Sequence, residues 1–340
     1  MKTILLTASF LILLASCSNQ ESRLLVLPDE TPITGQDYPN DIYINYPICL
    51  EYYKDKLLIF LHKNENIIKI IDAKDGKEIK DTGKKGNGPG ELTNPDYFGI
   101  CNNQIYIYDS GRRKIMKYDW DDINYAKDLP IIEGDSIPNK DIGIFSGNIM
   151  QNNNLITSIY YGMNEPIAVW DKDLKVINNI RIAPEENYKS QSHLSYGGHI
   201  SSSGNKFAFV MEALGYIACY ELQEDGKEHL LWDHLLEKPI YKGDQLDRKH
   251  LKLGFPEIKM TQNYIFCSYF GERLTREKLK TLKPRNLLVF DHNGNLLKNL
   301  RSARSLGKFC VSDDEKTIYA ATEEPEVAII RFDISDILKK

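Results

Sequence analysis

The chain reads as an all-β protein: a six-bladed β-propeller of four-stranded antiparallel blades, closed by an N-terminal strand. One pattern carries most of this. An apolar or aromatic residue is followed by an acid and then a turn at Asp72, Asp119, Asp171, Glu221, Asp291 and Asp333, at intervals of 47, 52, 50, 70 and 42 residues. Short alternating or β-rich runs flank these acids, such as Asn286–Phe290 before one and Asn295–Leu300 after it. Alternation broken by turn residues signals hairpins, and hairpins repeating every 40 to 50 residues signal propeller blades. Composition agrees. The 340 residues are 42% hydrophobic and include twenty tyrosines and three tryptophans, which suit a large β core. Six acids then give six blades.

The elements follow in chain order. Residues 1–16 read as a secretory signal peptide, with Lys2 ahead of an apolar run too short to span a bilayer. The run ends in Leu14-Ala15-Ser16-Cys17, which resembles a bacterial lipobox. That resemblance implies cleavage before Cys17 and diacylation of its thiol, which anchors a soluble domain stably. Cleavage removes Lys2 and takes the net charge from −5 to −6. Residues 17–22 form a lipidated polar tether. With no aspartate after the cysteine, the tether is similar to signals that deliver lipoproteins to the outer membrane, facing the periplasm.

The propeller is expected to occupy residues 23–340. Arg23–Leu27 has no blade of its own, and too little chain follows Asp333 for an outer strand. These five residues are therefore expected to complete blade six and remove an exposed sheet edge. In blade two, strands are expected at about 97–101, 104–109, 114–119 and 123–128. Residues 270–285 are expected as a charged surface insertion between the second and third strands of blade five, which lengthens the one long interval. The five cysteines beyond Cys17 lie in apolar stretches and include no C-x-x-C pair, so they read as buried thiols.

The glycine-rich stretch Gly83–Pro95, GKKGNGPGELTNP, lies between blades one and two. It lacks the G-x-x-x-x-G-K-[ST] order of a phosphate loop, and a strand rather than a helix follows it. Its glycines are expected to supply positive φ for a tight path between blades. The segment GNGPGELTNPDYFGI, with Gly86, Gly88, Pro89, Gly90 and Glu91, resembles the inter-blade segment of NHL-type repeats. The following IYIYDSGRRKIMKYD resembles the second half of that repeat, with Asp109 at its middle turn. Arg112 and Arg113 stand where that family has asparagine and histidine, and Lys114 stands where it has arginine. The match is sharp in blade two; the other blades keep the acid and the hairpins. Together with the lipobox, the chain resembles the TolB-like six-bladed propeller lipoproteins of Gram-negative envelopes.

A fold of this kind does not name an activity. The expectation is a non-catalytic binding or scaffolding module for an envelope protein or glycan, monomeric and without a cofactor. The balance of charge gives no nucleic-acid footprint. Binding is expected on the face that collects the inter-blade connections and the second-to-third-strand loops, where Arg112, Arg113, Arg273, Arg276, Tyr160 and Tyr161 gather forked donors and flat rings. His199 is expected to point into the channel. The alternative is a metal-dependent hydrolase or lyase at the central channel, for which Asn148 and Glu257 are the inner-strand ligand candidates beside His199. No H-E-x-x-H or G-x-S-x-G motif occurs.

Overall fold

The computed structural model describes residues 23–38, 44–45, 47–62, 64–125, 128–137, 144–150, 155–160, 165–185, 197–243, 245–278 and 280–338. Cys17, the rest of residues 1–22, and Tyr161 lie outside them.

Six antiparallel sheets form the blades, each counted from the channel outward. Blade one comprises β4 (Pro47–Tyr53), β5 (Lys56–Leu61), β6 (Asn66–Asp72) and β7 (Glu78–Lys84). Blade two holds β8 (Pro95–Cys101), β9 (Gln104–Asp109), β10 (Lys114–Asp119) and the two-residue β11 (Asp135–Ser136). Blade three spans Ile144 to Ile180 with β12 (Ile144–Ile149) innermost, and blade four runs from β16 (Gly198–Ser203) out to β19 (Glu228–Leu235). Blade five runs from β22 (Glu257–Met260) out to β25 (Leu296–Ser302). Blade six holds β26 (Phe309–Val311), β27 (Thr317–Thr322) and β28 (Ala328–Asp333).

The core is divided into six apolar clusters, one at each interface between neighbouring blades. This explains the unbroken apolar runs of the middle strands. In β5, Leu58 and Phe60 pack toward blade two, while Leu57, Ile59 and Leu61 pack toward blade six. Both faces of such a strand are buried, so alternation disappears from its sequence. At the rim one face is open to solvent, and Val176–Ile180 buries only Ile180 fully.

Three of the recurring acids close outer hairpins, in blades one, three and five. Asp72 Oδ1 accepts the Lys74 N–H (2.9 Å), Asp171 Oδ1 those of Asp173 and Lys175 (both 2.9 Å), and Asp291 Oδ1 those of Asn293 and Asn295 (both 2.9 Å). Carboxylates placed this way mimic a backbone turn. A register shift precedes the acid in blades one, three, four and five.

Two expectations need correction. An N-terminal strand does close the ring, but it is Gln36–Asp37 (β3), antiparallel to β28, rather than residues 23–27. Arg23–Leu24 (β1) instead lies parallel to β19 on blade four, and Glu30–Ile33 (β2) lies parallel to β25 on blade five. The segment thus belts three successive rims. Leu25, Leu27 and Ile33 pack inward, and Gly35 lies close against the Phe332 ring. In blade two, the strand expected at 123–128 is instead a helix, α1 (Trp120–Tyr125). Trp120 and Ile123, three apart, are both buried, and Asp121 and Asp122 suit the positive end of the helix. The long interval before Asp291 has two sources: the connection 270–285, which lies between β23 (Tyr264–Tyr269) and β24 (Asn286–Asp291), and a hairpin at Tyr241–Leu246. No helix among the described residues is long and apolar enough to cross a membrane.

Candidate binding site at the central channel

The glycine-rich segment and the middle turn of blade two form one unit. Gly88, Pro89, Gly90 and Glu91 make a β-turn closed by the Glu91 N–H on the Gly88 carbonyl (3.1 Å), with Gly90 at φ 75°. Proline second and a positive-φ glycine third is the type II pattern. Gly83 is also left-handed, as expected, but Gly86 and Gly88 are not. The Glu91 carboxylate folds back over both to accept the Gly88 N–H (2.8 Å), and a Cβ on Gly86 would lie 2.1 Å from it, so a larger residue there would displace that carboxylate. Asp109 is fully buried and accepts the N–H groups of Thr93 (2.8 Å), Asn94 (3.0 Å) and Gly111 (3.1 Å).

Arg112 belongs to the same unit. Its guanidinium donates to the Gly88 carbonyl (2.9 Å) and stands 3.8 Å from Asp109. Arg113 is half-buried with φ 54°. Arg273 and Arg276 are exposed on the 270–285 connection, where Arg273 forms an antiparallel bridge with Lys252. Tyr160 ends the second strand of blade three, opposite Ile144. The structure therefore brings Arg112 together with the Gly86–Glu91 turn, and places Arg273 and Arg276 apart on blade five.

His199 begins the inner strand of blade four and lines a cavity of about 480 Å³ that is the central channel. Each blade sends at least one polar side chain to its wall, among them Glu51, Asp96, Asn148, His199, Glu257 and Lys308. Two ion pairs tie the wall together. Lys308 meets Glu257 at 2.6 Å between blades six and five, and Lys259 reaches past blade six to Glu51 at 2.9 Å. Ser202 donates to the Ile149 carbonyl (3.0 Å) and to Asn148, linking blades four and three.

The electrostatics follow from this crowding. Burial first, and then Lys308, pulls His199 down to about 4, so its ring is neutral at neutral pH. Burial works against the Glu257 carboxylate, yet Lys308, His199 and Lys259 hold its pKa below the ordinary value. Burial likewise opposes the Lys259 charge, but Glu51 overrides it and the ammonium stays protonated. Asp96 is exposed at the channel mouth yet hemmed in by the walls, which raises its pKa against the pull of Lys308. Burial pushes Cys49 up to about 12, and Cys267 and Cys310 well above the ordinary thiol value, which favours the protonated thiol over the thiolate.

Such a wall offers carboxylates, an amide, a neutral imidazole and an ammonium in fixed places. It can donate and accept hydrogen bonds to a polar ligand. A histidine at about 4 is a poor general base near neutrality. Among the described residues, no group of three or more His, Cys, Asp or Glu is arranged to hold a metal ion.

Sequence reading finds His199, Asn148 and Glu257 but misses Glu51, Asp96, Lys259 and Lys308. Three inner strands carry a register shift near their start, at Pro47/Cys49, Tyr97/Gly99 and Ile144/Ser146. One extra residue flips the parity from which inward positions would be counted. The discoverable signal was Asp96, a charged residue at the start of an inner strand.

The family model described as TolB-like 6-blade propeller-like matches residues 29–314. The chain belongs to the TolB-like six-bladed propeller family. No curated protein sequence matches it significantly. Among solved structures it is similar to a Bacteroides fragilis protein described as exported, with TM-score 0.57 and 13% identity over 89% of this chain and 99% of that one. It is also similar to the β-propeller domain of Myceliophthora thermophila Cps50 (Swd1), with TM-score 0.52 and 9% identity over 86% and 98% of the two chains. A third similar structure is the calcium-binding protein regucalcin from Agrobacterium tumefaciens, with TM-score 0.52 and 9% identity over 90% and 95%. At these identities the likeness is one of fold.

Proposed function

We propose that this TolB-like propeller is a lipid-anchored module of the cell envelope that binds or scaffolds a protein or glycan partner at the mouth of its central channel, without chemistry of its own. One observation carries the reading: each of the six blades places a polar side chain on the wall of the same cavity. Rigid, convergent polar groups recognise hydroxyl, amide and charged groups of a ligand. Strands from every blade hold them, and the ion pairs Glu257–Lys308 and Glu51–Lys259 fix their positions. The neutral His199 and the protonated Cys49 thiol suit binding better than catalysis.

The anchor is Cys17, and the location is the periplasmic side of the outer membrane. The apolar run ending in Leu14-Ala15-Ser16-Cys17 supports the anchor, and the similar exported protein from Bacteroides fragilis fits an envelope location. The protein acts as a monomer. Replacing Cys17 with serine tests the anchor. The expected product is unprocessed or soluble protein; partition of the variant into detergent exactly as for the wild type would remove the anchor from this reading.

A further inference from the structure

The belt of residues 23–37 leads from the tether onto the rim of the propeller, and its first residues are two-faced. Leu25 and Leu27 pack between blades four and five, and the Leu25 N–H donates to the Leu235 carbonyl (2.8 Å). Leu24 and Val26 alternate with them and point outward, 49% and 88% exposed. Apolar side chains this exposed, directly after a stretch leading from an acylated cysteine, have one evident solvent other than water. We propose that the propeller stands on the bilayer by the rim of blade four, with Leu24 and Val26 in the headgroup region.

The inference rests on the acylation of Cys17 proposed above. Chain geometry then restricts the orientation. At roughly 3.3–3.6 Å per residue, the stretch from Cys17 to Arg23 reaches roughly 20 Å at most. Acyl chains hold Cys17 at the membrane surface, so the rim of blade four stays within that reach. Arg23 and Leu24 are held there by pairing with His234 and Leu235. Leu230, on the same outer strand, adds a third exposed apolar side chain. An amphipathic edge of this kind adds burial to the anchor and removes the freedom to tumble about it. Blade one stands across the ring, so its rim faces away from the bilayer. With the rim toward the lipid, both channel mouths stay open to the aqueous space.

Nitroxide accessibility tests this on the acylated protein in phospholipid vesicles. Val26→Cys carries the probe; Ile79→Cys, on β7 of blade one and 43% exposed, is the comparison. Signal from labelled wild-type protein is subtracted for Cys49, and intact mass establishes acylation of each preparation. The expected result is that vesicle binding raises oxygen collisions and suppresses collisions with a water-soluble nickel complex at position 26, with neither change at position 79. Acylated protein whose Val26 probe remains in water overturns this inference alone. Absence of the acyl mass overturns the anchor and this inference together.

Discussion

At the scale of single residues, buried charge decides what is structural. Asp109 is a fully buried carboxylate whose backbone donors come from two separate segments, so it fastens the glycine-rich connection to the middle turn of blade two. Asp109→Ala would strand those N–H groups and the Arg112 guanidinium. It is expected to cost about 3 kcal/mol in a urea titration; a change within error would mean that the turn forms without the carboxylate. Asp109 and Glu91 were legible because the repeat resemblance marks their positions. The inward role of Arg112 was not, since an arginine beside a turn reads equally well as a surface donor. His199 sets a pH dependence. In the unfolded chain it takes up a proton near 6.5, and in the fold only near 4. Between those values protons favour the unfolded state, so its contribution is complete above pH 6.5 and declines as pH falls toward 4. Glu257, Lys308 and Lys259 face it, and the neighbouring charges hold the Glu257 carboxyl below its ordinary value. His199→Gln should flatten that part of the stability profile, leaving a residual slope from His292, which burial also pushes down. An unchanged profile would show that His199 titrates alike in both states.

At the scale of elements, the hairpins were legible and their ends were not. The acids that close the outer turns announce themselves by spacing, because each must sit at the same place in its blade. The helix Trp120–Tyr125 was missed because six residues with two buried apolar positions fit a strand or a helix equally well. The belt was misplaced for a related reason: Arg23–Leu27 is the most apolar part of the segment, but ring closure uses Gln36–Asp37, where backbone pairing and side-chain contacts suffice. Arg304 pairs with Asp37, and Arg331 donates to Gln36 (3.3 Å). Two truncations of the soluble protein separate the roles. A chain beginning at Asp29 loses only the blade-four strand and should keep its ring closed, with a thermal midpoint lowered by a few degrees, about what a loss of 1 kcal/mol gives in a chain this long. A chain beginning at Tyr38 loses the outer strand of blade six and should aggregate through the exposed edge of β28. Equal behaviour of the two chains would contradict closure by Gln36–Asp37.

At the scale of the whole molecule, the ring is six apolar wedges around a polar axis. The wedges supply the stability, and the axis holds charges whose pairing spans blades: Glu51 of blade one and Lys259 of blade five meet across the channel. Removing one partner of such a pair leaves a buried charge and costs more than the pair contributes, so channel variants that test binding should spare the ion pairs. Asp96, Asn148 and His199 meet this condition, since neither of the two ion pairs uses them. The direct measurement immobilises the Cys17→Ser protein and crosslinks it to partners from an envelope extract, side by side with the same protein carrying Asp96→Asn, Asn148→Ala and His199→Gln. Both must show a cooperative thermal transition. Binding at the channel mouth predicts that the variant loses the partners the parent captures; capture of the same partners in the same yield by the folded variant would contradict it.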